Sequence, residues 1–490
     1  MLLIGVSGTG SIYFAITPSI ICPPGSPIDW EQTWGGNDNE ILYELVVDSL
    51  GYFYLAGETW SYGNGSSDLF LVKMNGTVAE NNTWGGVESE EFSGMVLDSN
   101  DNIYVAGSTL SYGAGEKDVI LLKYNTSVKL EWDELWGTNN SDICRSIAVD
   151  SFDNVYITGI NNNPYYDIFL AKYDRLGIQQ WNRTWSTERF NITEEVFSLV
   201  IDSTDNIFLS VKTNFTGSEW FLLNYNSSGN LLLNISYSKY HPLELLVLDS
   251  LNNLYAAGSY NDMYLSKLDN NGNVEWNVSC IQNVLKSSEV LAIDPFDNIV
   301  IAGNELINAS ANLYGYNITD YDTYLMKYNN TGVIEWNHTI PYSNNLFPEI
   351  IAFNSLGYIY LGGSSEFIAT KELTLSVVVF DQSGNIRRSE GGGEIKYCEG
   401  IYGESVMNFT VAGYGYRYLY PTGTSTDYDL ILIKYKEPEY YCPYDPLNHY
   451  IPVMIIFNIL FYISCIIGVI FLIKQRKTRL KTINFWMFRY

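Results

Sequence analysis

The chain has 490 residues, and its 55 acidic and 27 basic side chains give a formal charge of −28. That sign excludes nucleic acid as a partner, because a phosphate backbone needs a basic face, and a composition 46% hydrophobic and only 17% charged excludes a disordered chain. Three histidines in the whole sequence leave little material for a histidine-rich metal centre or a histidine-based catalytic triad.

Residues 1–22 hold no charged side chain and read as a signal peptide or signal anchor, although Gly5, Gly8 and Gly10 interrupt the apolar run and a basic leader is missing. A lone strand signal, PIDWEQTWGG, follows around Trp30 and Trp34. From there one block recurs eight times, anchored on a turn between two short apolar strands. It reads VVDSLGYFYLAG at Asp48, VLDSNDNIYVAG at Asp98, AVDSFDNVYITG at Asp150 and VIDSTDNIFLS at Asp202. It continues as VLDSLNNLYAAG at Asp249, AIDPFDNIVIAG at Asp294, AFNSLGYIYLGG at Asn354 and a decayed ESVMNFTVAG at Glu404. The steps run from 45 to 60 residues, the period of a propeller or a related repeat array.

The turn follows from its residues. An Asp at the first position accepts from its own backbone two residues on, and the Ser or Pro295 that follows suits the second position of a type I turn. The fourth position holds Gly51, Asp101, Asp153, Asp205, Asn252, Asp297 or Gly357, residue types that tolerate a left-handed backbone. DSNDN at Asp98 also resembles the start of a calcium loop, but the other copies place Leu, Phe or Thr at its third position.

Each block then carries a second hairpin. Its first strand reads DLFLVKM from Asp68, DVILLKY from Asp118, DIFLAKY from Asp167 and, at the last copy, DLILIKY from Asp429. A polar turn such as DNNG or NNTG leads to a strand bearing Trp132, Trp181, Trp276 or Trp336. Pairs such as Trp132/Trp136 and Trp181/Trp185 share one strand face, which predicts packing between blades and no cofactor box. The fold class is therefore all-β: an eight-bladed β-propeller of four antiparallel strands per blade. The eighth block stops after its third strand, so the N-terminal strand around Trp30 is expected to close it and remove two exposed edges. That pairing brings Cys22 close to Cys442, a candidate disulfide if Cys22 survives signal cleavage.

The AVDSFDNVYITG hairpin followed by DIFLAKYDRLG resembles the SBBP beta-propeller repeat of bacterial and archaeal envelope proteins, over about residues 28–436. The resemblance implies a propeller and an envelope setting, and is silent on activity. Its name implies seven blades where the repeat count gives eight. Copies seven and eight depart furthest, with Asn354, Glu404 and Met407 in the turn and no Lys in LSVVVF.

Two surface features stand out. The loops between second and third strands are long and unlike one another, and they carry Tyr62, Tyr112, Tyr165, Tyr166, Tyr314, Tyr316, Tyr321, Tyr416, Tyr418, Tyr420 and Tyr428. Variable loops on a rigid scaffold are a candidate ligand face, and Tyr supplies contact area with a polar tip. Sixteen N-x-S/T sequons begin at Asn64, Asn75, Asn81, Asn125, Asn139, Asn182, Asn191, Asn214, Asn226, Asn234, Asn277, Asn308, Asn317, Asn329, Asn337 and Asn408. They suit an extracellular glycoprotein.

Tyr450 to Ile473 is 24 residues without a charge, long enough to cross a bilayer, and six basic residues with no acid follow between Lys474 and Tyr490. The expected organisation is a signal segment (1–22), an extracellular propeller (23–440), a stalk (441–449), a membrane span (450–473) and a cytoplasmic tail (474–490). No catalytic residue, cofactor or metal is expected: GxSxG is absent, and Thr331-Gly332…Trp336 matches a quinoprotein docking motif only once. The expected function is a membrane-anchored surface protein acting in recognition, adhesion or envelope structure, with an extracellular protein or glycan as ligand. The alternative is a propeller enzyme, quinone- or calcium-dependent or glycan-acting, with its site in the central channel.

Overall fold

Runs of seven or eight residues rich in Val, Ile, Leu and aromatics, bounded by Asp, Asn, Ser and Gly, form strands throughout the chain. The computed structural model describes residues 28–435, apart from loop segments 163–165, 188–191, 215–218, 261, 282–289, 314–315, 341–343, 368–372, 392–394, 404–408 and 420–422, together with residues 3–6 and 12–15. Leu3–Val6 pairs with Ile12–Ala15 as an antiparallel hairpin. Cys22, Cys442 and residues 450–473 lie outside the described residues, so the expected disulfide and membrane span do too. Among the described residues no helix is long and apolar enough to cross a membrane.

Eight four-stranded antiparallel sheets follow in chain order. Blade 1 comprises Glu40–Val47, Phe53–Thr59, Asp68–Met74 and Val78–Trp84. Blades 2 to 7 occupy residues 90–136, 142–185, 194–237, 245–281, 290–340 and 344–391. Blade 8 consists of Ile395–Gly403, Phe409–Leu419 and Gly423–Tyr435, completed by Ile28–Trp34 as its outer strand. Ile28 pairs with Tyr435 and Trp34 with Leu430, as the orphan strand requires. The first strand of every blade contacts the first strand of the next, including Ile395–Gly403 against Glu40–Val47, so the first strands are innermost and the ring is closed.

Eight apolar cores lie between the blades, one at each interface. Blade 2 meets blade 3 through Tyr104, Val119, Leu121, Ile157 and Phe169, and blade 8 meets blade 1 through Ala412, Leu430, Leu432, Phe53 and Phe70. Middle strands are buried on both faces, as Phe53–Thr59 and Ile103–Thr109 are at every position, whereas outer strands alternate. The free thiols Cys144 and Cys398 are buried in two of these cores.

The 1–2 turns adopt the predicted backbone. Asp101, Asp153, Asp205, Asn252 and Asp297 have φ of 61–63°, and Gly51 and Gly357 have φ of 82° and 73°. Asp48 Oδ1 accepts the N–H of Leu50 and of Tyr52, and Asp98, Asp150, Asp249 and Asp294 repeat the pattern. The fourth-position acid has a further role that tolerance of φ does not explain. The Ser49 amide and hydroxyl both donate to the Asp101 carboxylate of the next blade, at 3.2 and 2.5 Å. Ser99 to Asp153, Ser151 to Asp205 and Ser250 to Asp297 do the same, and Ser203 binds Asn252. The clamp lapses on both sides at once between blades 6 and 7, where Pro295 has no hydroxyl and Gly357 has no carboxylate.

The 3–4 turns form a second ring of contacts. The tryptophan of one blade lies on the glycine of the next blade's turn: Trp132 on Gly177, Trp181 on Gly229, Trp276 on Gly332 and Trp336 on Gly384. These glycines have φ between 77° and 85°, and a Cβ at Gly384 would sit 2.7 Å from the Trp336 ring, so both backbone and space demand glycine. The indole N–H of Trp132, Trp181, Trp276 and Trp336 donates to a carbonyl in the same neighbouring turn. At Thr331-Gly332…Trp336, Thr331 binds Asn329 and Gly332 packs on the preceding blade's Trp276, the same contact as at the other turns. Blade 1 carries Glu80 at this tryptophan position, and the facing turn of blade 2 holds Val128 at φ 54°, buried in the core that a ring would otherwise cover.

A bulge interrupts the first strand at one place in six blades, for example between Leu42 and Glu44 and between Phe92 and Gly94. Acceptors from the preceding blade take N–H groups of these strands: Glu44 takes Met95, Ser108 takes Cys144, and Glu349 takes Cys398.

The inter-blade clamp is testable at Asp153. Asp153→Gly keeps the left-handed backbone and loses only the bonds to Ser99, so we expect about 1–2 kcal/mol of lost stability. Asp153→Ala should cost about 1 kcal/mol more, because a Cβ alone disfavours this φ. Urea unfolding of both variants, crossed with Ser99→Ala, checks this, and an Asp153→Gly protein as stable as the wild type would show that the clamp contributes nothing.

Candidate functional site

The antiparallel path puts the 1–2 and 3–4 turns on one face of the ring (the turn face) and the 2–3 loops and 4–1 connections on the other (the loop face). On the loop face, blades 1 and 2 build the same loop around a buried aspartate. Asp68 Oδ2 accepts the N–H of Asn64 and Gly65, and Asp118 Oδ2 accepts those of Ala114 and Gly115. Tyr62 donates its hydroxyl to the Gly35 carbonyl at 2.6 Å, with its ring 5.0 Å from Trp34, and Tyr112 donates to Gly85 at 3.2 Å, with its ring 5.4 Å from Trp84. Both rings remain about half exposed, so each seals the seam between two blades and offers one face to solvent. Tyr166 is also exposed, at the start of Tyr166–Tyr173.

Two of the expected loops are not loops. In blade 6, Ile299–Leu313 pairs with Tyr316–Tyr328 as far as Leu313 and Tyr316. In blade 8, Phe409–Leu419 pairs with Gly423–Tyr435 as far as Leu419 and Gly423. These strands have 15, 13, 11 and 13 residues against seven in blades 1 and 2, so the ladders extend past the sheet as two-stranded arms on the loop face. At about 3.3 Å per residue the blade 6 arm is roughly 25 Å long. Tyr316 and Tyr321 stand on that arm, and Tyr416, Tyr418 and Tyr428 on the other, with Tyr416 directly opposite Tyr428. Tyr165, Tyr314 and Tyr420 lie outside the described residues. The Asn-rich composition of the blade 6 segment and the Gly- and Pro-containing composition of the blade 8 segment hid the arms from a reading of the sequence.

Buried carboxyls line the loop-face seams, a feature the sequence reading missed. Asp68 of blade 1 faces Glu90 of blade 2 across Gly85, where a Cβ would lie 1.7 Å from Asp68 Oδ1 and 2.4 Å from Glu90 Oε2. Asp118 and Asp142 repeat the pair at the next seam, and Asp167 and Glu194 at the one after. Burial, opposed by hydrogen bonds and reinforced by the neighbouring acid, holds Glu90, Asp142 and Glu194 above the usual carboxylate range. Nearer the channel, burial also raises Glu58 and Glu349 and lifts Glu44 to about 7, although the Met95 N–H donates to it at 2.6 Å.

These acids do not make a metal centre. Among the described residues no group of three or more His, Cys, Asp or Glu side chains is placed to hold an ion. The calcium-like Asp98 is surrounded by donors, namely the N–H groups of Asn100 and Asn102, the Asn102 amide and the Tyr104 hydroxyl. A cation would need oxygens there. Asp150 and Asp294 sit in the same nest with Lys172 at 3.2 Å and Lys327 at 2.8 Å. Burial opposes their ionisation, but the bonds from Asn154 and Tyr156 to Asp150, and from Lys327 and Asn298 to Asp294, pull both below the usual range. His338 packs on Trp336 and Phe380.

The sequons divide by position. Asn81, Asn182, Asn234, Asn277 and Asn337 are exposed on the outermost strands of their blades. Asn125, Asn226 and Asn329 head 3–4 turns and each accepts two backbone N–H groups through Oδ1, as Asp174, Asp269 and Asp381 do in other blades. Turn chemistry thus accounts for these three Asn residues. Asn75 opens the tighter 3–4 turn of blade 1, where its N–H donates to the Thr77 carbonyl. Asn64, Asn139 and Asn214 are exposed on the loop face. Asn308 and Asn317 fall on the blade 6 arm. Asn191 and Asn408 lie outside the described residues.

An all-β ring of eight four-stranded blades is the class of protein this geometry defines. The family model described as SBBP, beta-propeller repeat, matches residues 134–165, from the outer strand of blade 2 into the second strand of blade 3. No match is found among curated proteins. Similar solved structures include virginiamycin B lyase from Staphylococcus aureus, with 13% identity over 70% of this chain and 94% of that one, at a TM-score of 0.41. An ulvan lyase of polysaccharide lyase family PL25 shares 10% identity over 73% and 95% of the two chains at 0.41, and YCF48 bound to D1 peptide shares 13% over 69% and 94% at 0.39. Similarity at this level does not bear on the activity of this chain.

The raised carboxyls set a pH dependence. A folded-state value above the unfolded one means that the fold favours the protonated acid, so this stability is complete below the unfolded value and is lost as pH rises through the folded value. For Glu44 the window runs from 4.5 to about 7. We expect the melting temperature to fall between pH 5 and pH 8 at constant ionic strength, and Glu44→Gln to reduce the slope near pH 7. A flat or rising calorimetric series over that interval would contradict the assignment.

Proposed function

We propose that the chain is a membrane-anchored, N-glycosylated cell-surface propeller that recognises an extracellular protein or glycan through its loop face, and that it is not an enzyme. The observation that carries this reading is the pair of arms. Two blades of a regular ring extend their middle strands far past the sheet on one face, and both arms carry tyrosines on a paired two-stranded ladder. Aromatic side chains on a stiff support give contact area at low entropic cost, the usual chemistry of a recognition surface. The buried carboxyls are used in loop and seam construction, which supports binding over catalysis. The uncharged segment 450–473 with its one-sided basic flank supports the anchor, and the SBBP repeat supports a bacterial or archaeal envelope setting.

The test uses the full chain in phosphatidylcholine vesicles, screened against arrayed glycans and peptides. A ligand is expected whose affinity drops at least tenfold when Tyr416→Ala and Tyr428→Ala are combined, or when residues 307–319 of the blade 6 arm are replaced by a short Gly-containing turn. Retention after alkaline carbonate extraction is expected of the full chain and not of one lacking 450–473. Ligands bound equally well by a chain without both arms would sink the recognition reading, and turnover of a bound glycan, read by mass spectrometry, would restore the enzyme alternative.

A further inference from the structure

The third position of the 1–2 turn carries Leu50, Phe152, Leu251, Phe296 and Leu356 in five of the seven blades whose turns are described. The first three are 78%, 75% and 72% exposed, and the other two more than half. The serine clamps, with Asn252 in place of one acid, join the turns of blades 1 to 6 in series, so four of these five side chains stand on a connected run of the circle and not on independent loops. Turn geometry does not require them, since Asn100 and Thr204 fill the same position in the same circle. Isolated exposed leucines are ordinary, but an apolar set repeated at one symmetry position on one face marks an interaction surface.

We infer that the turn face rests on a lipid bilayer, with these five side chains in the boundary between headgroups and acyl chains. The path of the chain selects this occupant. The strand Gly423–Tyr435 ends on the turn face, where Tyr435 pairs with Phe409 and Ile28, so the chain leaves the ring on that side. Residues 436–449 then separate it from the uncharged segment that starts at Tyr450, and fully extended they span at most about 50 Å. Tyr440, Tyr441 and Tyr444 within this stretch favour the interfacial layer. A ring tethered so closely meets the bilayer with the face that bears the tether, and the arms on the opposite face then point into the medium. The inference rests on the anchor reading of residues 450–473. It also requires the sequons on the 3–4 turns of this face to stay bare, because sugars there would hold the ring off the lipid, while those on the outer strands are free to be occupied.

The test places a fluorophore at Phe152→Cys or at Tyr112→Cys in the full chain, with the unsubstituted chain labelled in parallel as the blank. Each is reconstituted in phosphatidylcholine vesicles containing headgroup-nitroxide lipid. Quenching at residue 152 at least twofold stronger than at residue 112, with unmodified Asn75, Asn125, Asn226 and Asn329 in a glycopeptide map, is the expected result. Equal quenching in a chain that resists carbonate extraction overturns the docking and leaves the anchor standing. Release by carbonate overturns the anchor and this inference with it. Unquenched label at residue 152 that cross-links between copies assigns the face to a second ring, and occupied turn-face sequons also overturn the lipid contact.

Discussion

The ring depends on contacts between consecutive blades, and above all on the tryptophan that lies on its neighbour's left-handed glycine. A single blade is a four-stranded sheet with two apolar faces, which cannot cover both by itself. Each face becomes half of a core only when the next blade is seated, and the eight cores alternate with the eight sheets around the whole circuit. The indole sets the spacing, since its ring fills the space a Cβ would take and its N–H caps a carbonyl of the same turn. Blade 2 shows what happens without it. Blade 1 supplies Glu80 in place of the ring, and the turn opposite holds Val128, a β-branched residue at a φ that such residues rarely adopt, with its side chain filling the core. Burial there outweighs the local backbone cost.

Much of this was legible in the sequence. Turn chemistry names the first and fourth positions of seven of the eight 1–2 turns, alternation marks the outer strands, and the missing strand of the eighth block points to the orphan strand at Trp30. Features escaped where the partner of a residue lies one whole blade away. The Asp at the fourth position reads locally as tolerance of positive φ, because its second function, accepting from a serine about fifty residues earlier, leaves no local trace. The glycine of the 3–4 turn reads as a turn former for the same reason, although half of its necessity comes from the neighbouring indole. The buried pairs Asp68/Glu90 and Asp118/Asp142 were invisible because each acid belongs to a different repeat unit. The arms of blades 6 and 8 failed differently, since their polar and Gly-containing sequence resembles a loop and only long-range pairing makes it a ladder. The sequons illustrate the converse, a motif that is legible but overdetermined, because Asn-x-Ser/Thr is also what an Asx turn with a following hydroxyl looks like.

The two faces differ in what their construction leaves free. On the turn face the polar groups are consumed, with aspartates capped by backbone N–H, tyrosine and lysine, and turn carbonyls capped by indole and ammonium groups. At the third position of the inner turns what is exposed is apolar in five blades, with Asn100 and Thr204 in the other two that are described. On the loop face, burial of carboxyls is accepted in order to hold short glycine-containing loops closed over the seams, and the blades that depart from this plan do so by lengthening their middle strands. A closed propeller has no sheet edge to give except the outermost strand of each blade, and five of those strands expose an Asn of a sequon. Variation is therefore confined to places where it does not disturb the inter-blade contacts.

That confinement explains why the acid excess can be large. Net charge of one sign destabilises a compact state through repulsion, yet the carboxylates that matter most to the ring are either paired with donors, as Asp150 and Asp294 are, or held towards the protonated form, as Glu44 and Glu90 are. The first group strengthens the turn face as pH rises from acid, and the second weakens the seams as pH rises above the usual carboxylate range. The two responses act on opposite faces of the same blades. A change of pH therefore does not loosen the ring uniformly. It moves the site of least stability from the turn face in acid towards the seams of blades 1 to 4 at higher pH.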